Sequence, residues 1–104
     1  MADERFLEIE GEQYELRFND RRIDIIEKMI GGSVIGAIST GFAKQFDLRV
    51  IFSQGLKKVD GPYAQQKFAE EAFKVIRDEY GYEALILMIA EALERDCGFF
   101  FRES

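Results

Sequence analysis

The run Phe6-Leu7-Glu8-Ile9-Glu10-Gly11-Glu12-Gln13-Tyr14-Glu15-Leu16-Arg17-Phe18 constrains the fold most. Its apolar residues alternate on both sides of a glycine and then give way to a helical spacing, so it predicts a tight β-hairpin running straight into a helix. With Gly11-Glu12 as a two-residue turn, the leading glycine suits type II′ geometry, Ile9 faces Tyr14, and Leu7 faces Leu16. Leu7, Ile9, Tyr14, Leu16 and Phe18 then form one apolar face. The other face sets Glu8 against Glu15, a like-charge pair that costs stability. A two-stranded ribbon is marginal alone, so the apolar face is expected mainly as core, packed on helices or on a second subunit.

Beyond the hairpin, Asn19 or Asp20 can cap a helix in which Ile23, Ile26 and Ile30 recur at i, i+3 and i+7, and Gly31-Gly32 ends it. The glycine-interrupted stretch from Ser33 to Gly41 allows three readings: a short helix, a turn-rich connector or a mobile segment. Asp47 is a candidate cap for a helix from about Leu48 to Leu56, with Gly55 on its apolar side permitting close approach. Lys57 to Pro62 reads as a loop, with Pro62 in the first turn of the next helix. Tyr63 to Tyr80 is amphipathic, with Ala64, Phe68, Ala72, Val75 and Ile76 inward. Gly81 stops it, and a helix from about Tyr82 to Asp96 closes an antiparallel helical hairpin. The expected class is α+β, mainly α: an N-terminal β-hairpin followed by four or five helices, in a single domain over residues 1–104. The hairpin would occupy about 5–18 and the helical part about 20–97, with a short C-terminal tail.

The last helix carries more apolar surface than one face needs. At 100° per residue Ile86, Ile89, Ala90 and Leu93 share a side, whereas Leu87 and Met88 fall in the sector of Glu91, Glu94 and Arg95. Either the helix is central, touching both the hairpin and a neighbouring helix, or it presents a partner or subunit interface. Three consecutive phenylalanines, Phe99-Phe100-Phe101, follow it. Leu87, Met88, Phe99, Phe100 and Phe101 are therefore the candidate partner-contact residues.

Charge and residue types narrow the chemistry. A net charge of −6 repels phosphate backbones and anionic lipid, so neither nucleic acid nor membrane is an expected partner. Asp3, Glu4, Glu8, Glu10, Glu12 and Glu15 concentrate the acid in the hairpin, as a solvated face or as a site for a basic partner. There is no histidine, which removes Ser-His-Asp, Cys-His and histidine-metal sites. The lone Cys97 excludes an intrachain disulfide and lies beside apolar residues, as a structural thiol does. Gly31, Gly36 and Gly41 have P-loop-like spacing, but Ala37 and Phe42 stand where the lysine would be. Glu70-Glu71, Asp78-Glu79 and Glu91 with Glu94 read as solvated helix faces, with Glu70–Lys74 and Glu91–Arg95 as ordinary i, i+4 pairs. The N-terminus has no apolar h-region, and the longest apolar run, Ala84 to Ala90, is too short to cross a bilayer. A cytoplasmic, non-enzymatic protein with no catalytic, cofactor or metal residue is the expectation.

The pattern Phe-x-x-Ile-x-Gly-x-x-Tyr-x-Leu-x-Phe, entering a helix at Asn19-Asp20-Arg21, resembles the tail assembly chaperones of long-tailed bacteriophages and prophages. The resemblance covers Phe6 to Phe18, Ile23 to Ile30, Leu48 to Leu56 with its Gly55-Leu56, and Tyr63 to Asp96, and the glycine-rich Gly31 to Gly41 segment departs from it. It implies a non-enzymatic role: binding the tape measure protein, keeping its apolar helices soluble, assisting recruitment of tail tube protein, and self-associating. It also implies a longer product made by ribosomal frameshifting, for which codons for Phe99-Phe100-Phe101 would supply a uridine-rich slippery run. A small structural phage component of the head-tail connector type, or a generic oligomeric interaction module, is the alternative.

Overall fold

In the computed structural model, which describes residues 6–39 and 43–98, the hairpin turns one residue earlier than its sequence suggests. Strands β1 (Leu7–Ile9) and β2 (Glu12–Leu16) pair antiparallel with Leu7 opposite Tyr14, Glu8 opposite Gln13 and Ile9 opposite Glu12. The turn residues are Glu10 (φ 54°) and Gly11 (φ 79°). Two consecutive positive φ values make this a type I′ turn, whose twist matches the strands, and not the type II′ turn at Gly11-Glu12. The apolar face is unchanged, because the pairing slips by an even number of residues. The expected Glu8–Glu15 repulsion disappears.

Glu15 faces Lys57 instead, across a third strand, β3 (Leu56–Lys58), that the sequence reading assigned to a helix end and a loop. It pairs antiparallel with β2, giving the order β1-β2-β3. A three-residue strand carries too little alternation to announce itself; it forms because backbone groups of β2 would otherwise be unpaired. The far edge of β3 is closed in turn. Lys57 bridges to Tyr63, the Lys58 N–H donates to the Pro62 carbonyl (3.0 Å) and the Ala64 N–H to the Leu56 carbonyl (2.9 Å). Pro62 and Tyr63 thus serve the sheet edge and do not begin a helix. At the opposite edge, β1 is short and carries exposed Glu8, with Glu10 exposed in the turn beside it, a combination that discourages further strand pairing.

Five helices complete the described residues. Helix α1 (Asp20–Ile30) starts at Asn19, whose side chain accepts from the Arg22 N–H at 2.8 Å, and stops at Gly31 (φ 73°). Its Ile23 and Ile26 are buried as predicted. The stretch after Gly31-Gly32 is a short helix, α2 (Val34–Ser39), capped by Ser33, whose Oγ accepts from the Gly36 N–H. Helix α3 (Gln45–Gly55) begins before Asp47, which therefore sits in its first turn and not at its cap. Gly55 is on the apolar side, and its role is specific: a Cβ there would lie 2.5 Å from the Phe18 ring. Only a glycine lets the Phe18 ring, in the connection from β2 to α1, close on α3 to this distance.

Helix α4 (Gln66–Tyr80) buries Ala69, Ala72, Phe73 and Ile76, spaced i, i+3, i+4, i+7. Val75, expected inward, is more than half exposed because it stands 100° from Ile76, off the edge of that stripe. Gly81 (φ 87°) separates α4 from α5 (Tyr82–Asp96), completing the helical hairpin. The fold is therefore α+β and mainly α, a three-stranded antiparallel sheet, made of the N-terminal hairpin and β3, beside five helices. One core joins them: Leu7, Leu16 and Phe18 from the hairpin meet Ile26, Phe52, Phe73, Ile89 and Leu93 from the helices. Phe52 and Phe73 pack edge to face with centroids 5.8 Å apart.

Candidate partner-binding surface

Helix α5 packs against α4 and α3 and is tied to the hairpin through Asp96, and it still has apolar surface left over. Its buried stripe is Leu85, Ile89, Ala92 and Leu93; Ile86 and Ala90 lie half-buried on one flank and Met88 is half-buried as well. The expected stripe was therefore rotated slightly from the true one. Leu87 points almost directly away from it and is 59% exposed, more than any other large apolar residue among the described ones. An outward leucine between Glu83 and Glu91 makes no contribution to the core.

Met88 lies on a different side of the helix, over a cleft of about 560 Å³ between α5 and the hairpin. Leu7, Leu16 and Ala92 line it together with Met88, and Glu91, Glu94 and Arg95 complete it. The structure thus separates two residues that the sequence grouped: Leu87 is an outer knob, Met88 a cleft wall. Phe99, Phe100 and Phe101, the other three candidates, lie outside the described residues. Leu7 and Leu16, expected mainly as core, have a double role that the sequence does not signal: they are core residues whose exposed remnant faces the cleft. Only the position of the hairpin over α5 reveals it.

One end of the cleft is fixed by a polar cluster around Asp96. Its carboxylate accepts from the Phe18 N–H (2.9 Å), from Arg17 (3.1 Å) and, through both oxygens, from Arg95 (2.8 Å each). The same Arg95 guanidinium also donates to the Leu16 carbonyl. Burial alone would push the Asp96 carboxyl up; the bonds from Arg95 and Phe18 and the charges of Arg95 and Arg17 outweigh it and hold the group below its ordinary value. Arg17 further pairs with Glu15 at 3.2 Å, and the Tyr63 hydroxyl donates to the Arg17 carbonyl at 3.0 Å. Strand β2, the start of α1 and the end of α5 are therefore clamped at one point. The expected Glu91–Arg95 pair is superseded, since Arg95 is turned toward Asp96 and Leu16.

Burial, followed by the Asp96 and Asp20 carboxylates, raises the Cys97 thiol, which disfavours the nucleophilic thiolate. Among the described residues no group of three or more His, Cys, Asp or Glu side chains is placed to hold a metal ion. No helix among them is long and apolar enough to cross a membrane. A second hollow of about 330 Å³ lies beside Tyr14, Pro62, Tyr63 and Phe68. Its rings are already engaged within the chain, Tyr14 with Phe68 at 5.4 Å and Tyr63 beneath the Arg22 guanidinium at 3.8 Å. At the hairpin, Glu12 is bound to Lys58 at 2.8 Å, so part of the acidic face is neutralised internally. Comparison with known protein families, curated proteins and solved structures finds no match to this chain.

Proposed function

We propose that the protein is a non-enzymatic binding protein that shields apolar helices of a partner, acting as a tail assembly chaperone for a phage tape measure protein in the host cytoplasm. The observation that carries this reading is the apolar surplus of α5. Leu87 is exposed on one side and Met88 opens onto a cleft on another, in a helix whose core stripe is already complete. Exposed apolar residues beside a cleft are how a protein captures amphipathic helices, with affinity from buried area and register from the surrounding charges. The order of elements, hairpin then helices then helical hairpin, is in keeping with the proposal, which includes self-association through the outward face of α5 at Leu87.

Co-expression with a tape measure protein tests it. The wild-type chain is expected to keep that protein in the soluble fraction, and Leu87→Glu and Met88→Glu variants that retain the wild-type unfolding midpoint are expected to release it to the pellet. Mass spectrometry of purified virions supplies the contrary outcome: stoichiometric presence there makes the chain a structural component of the connector type and overturns the chaperone reading.

A further inference from the structure

We infer that the cleft between the hairpin and α5 takes a cationic amphipathic helix, its apolar stripe seated on Leu7, Leu16 and Met88 and its basic flank on Glu91 and Glu94. The inference rests on the binding role proposed above and adds the chemical class of the occupant. Length is the first argument. From Met88 to Arg95 the wall follows α5 for about two turns, roughly 10 Å, which matches helix anchors spaced i, i+3 or i+4, and i+7. A strand is the poorer occupant, because β1 offers only three residues of edge and guards them with Glu8 and Glu10.

Charge supplies the second argument. Of the three charged residues at the cleft, Arg95 is matched to the Asp96 carboxylate through both of its oxygens and is bonded to the Leu16 carbonyl. Its positive charge is therefore used inside the fold, and the carboxylates of Glu91 and Glu94 set the potential that an arriving segment meets. The exposed Glu8 and Glu10 of the hairpin add to the same sign. A helix with lysine or arginine flanking its apolar stripe gains from these groups, and one with acidic flanks is repelled. A second copy of this chain is a poor occupant on the same ground, since it too carries −6.

The probes are two synthetic amphipathic helices with the same leucine stripe, one flanked by lysine and one by glutamate, titrated into the full-length protein and followed by fluorescence anisotropy and amide chemical shifts. The lysine helix is expected to bind with shifts at Leu7, Leu16, Met88 and Ala92. The glutamate helix is expected to bind about tenfold more weakly, the size that two rim charges at the upper end of exposed pairs provide. Glu91→Lys with Glu94→Lys should invert the preference, and these exposed positions lie outside the core, so the variant folds. Equal affinity for both helices overturns the inference. So do cleft shifts that appear only on deleting residues 99–104 or only on dilution, which assign the cleft to the chain's own terminus or to a second copy. Failure here with retained solubilisation of the tape measure protein leaves the binding role standing. Loss of solubilisation by the wild-type chain removes that role, whichever helix binds.

Discussion

The two halves of α5 carry opposite assignments. From Leu85 to Ala90 the helix is apolar on nearly every side, so its inner face completes the core while Leu87 faces outward. From Glu91 to Asp96 it is polar, and it is that half that fixes the helix to the sheet, through Arg95 and Asp96 on Leu16, Arg17 and Phe18. Hydrophobic residues are left as exposed surface where they are not needed for folding, and charged residues supply folding specificity where they are bonded to one another. Residue type alone would have assigned these roles the other way round.

The comparison breaks first at the core. Leu93 is fully buried in the polar half of the helix, and Leu93→Ala should lower the unfolding free energy by about 3 kcal/mol, read from urea denaturation. A loss under about 1 kcal/mol would mean that the core does not run the length of α5.

The clamp comes next. The Asp96 side chain is 9% exposed and accepts four hydrogen bonds, so Asp96→Ala removes all four, leaves the Phe18 N–H without its acceptor, and should cost about 2 kcal/mol. Its acid dependence has a definite sign. The folded-state carboxyl is held below the ordinary value, so its contribution is fully present above the unfolded value of about 3.9 and fades as pH falls through the lower folded one. Below about pH 4 the urea midpoint of the wild type should therefore fall toward that of Asp96→Ala, and a constant gap between the two would remove Asp96 from the acid response.

A smaller effect belongs to the hairpin tip. Gly11 holds φ 79° with open space around the position of a Cβ, so Gly11→Ala meets backbone strain without a clash and should cost about 1 kcal/mol. The turn also shows how far the sequence could be read. The alternation of Leu7, Ile9, Tyr14 and Leu16 revealed which face is apolar, since that depends only on parity, but both Glu10-Gly11 and Gly11-Glu12 are compatible with a two-residue turn. The type I′ twist and the Lys57 that pairs with Glu15 decide between them, and Lys57 belongs to a strand only because β2 is there to receive it. Helices α1 and α5 were legible from capping and periodicity, whereas Val75 was misplaced by one helical step. Of the proposed binding surface, the surplus at Leu87 and Met88 was legible, because an all-round apolar helix is visible in sequence. The cleft was not, because Leu7, Leu16 and Asp96 reach α5 and β2 across more than seventy residues of chain.

The smallest effect on folding should be the most telling. Leu87→Ser removes the outward leucine, and since it touches neither the stripe of Leu85, Ile89 and Leu93 nor the Asp96 clamp, stability should stay within about 0.5 kcal/mol of wild type. Exposed isolated leucines are common and need no explanation, so the stability result alone distinguishes nothing. What distinguishes is its pairing with Ile89→Ser, two residues along the same helix and fully buried. If Leu87 is binding surface, Leu87→Ser weakens partner capture at unchanged stability, while Ile89→Ser lowers capture only in proportion to the fraction unfolded, measured in the same urea titration. Should the two variants lose capture in parallel with stability, the outward half of α5 is ordinary solvent-facing surface and the binding site lies elsewhere on the chain.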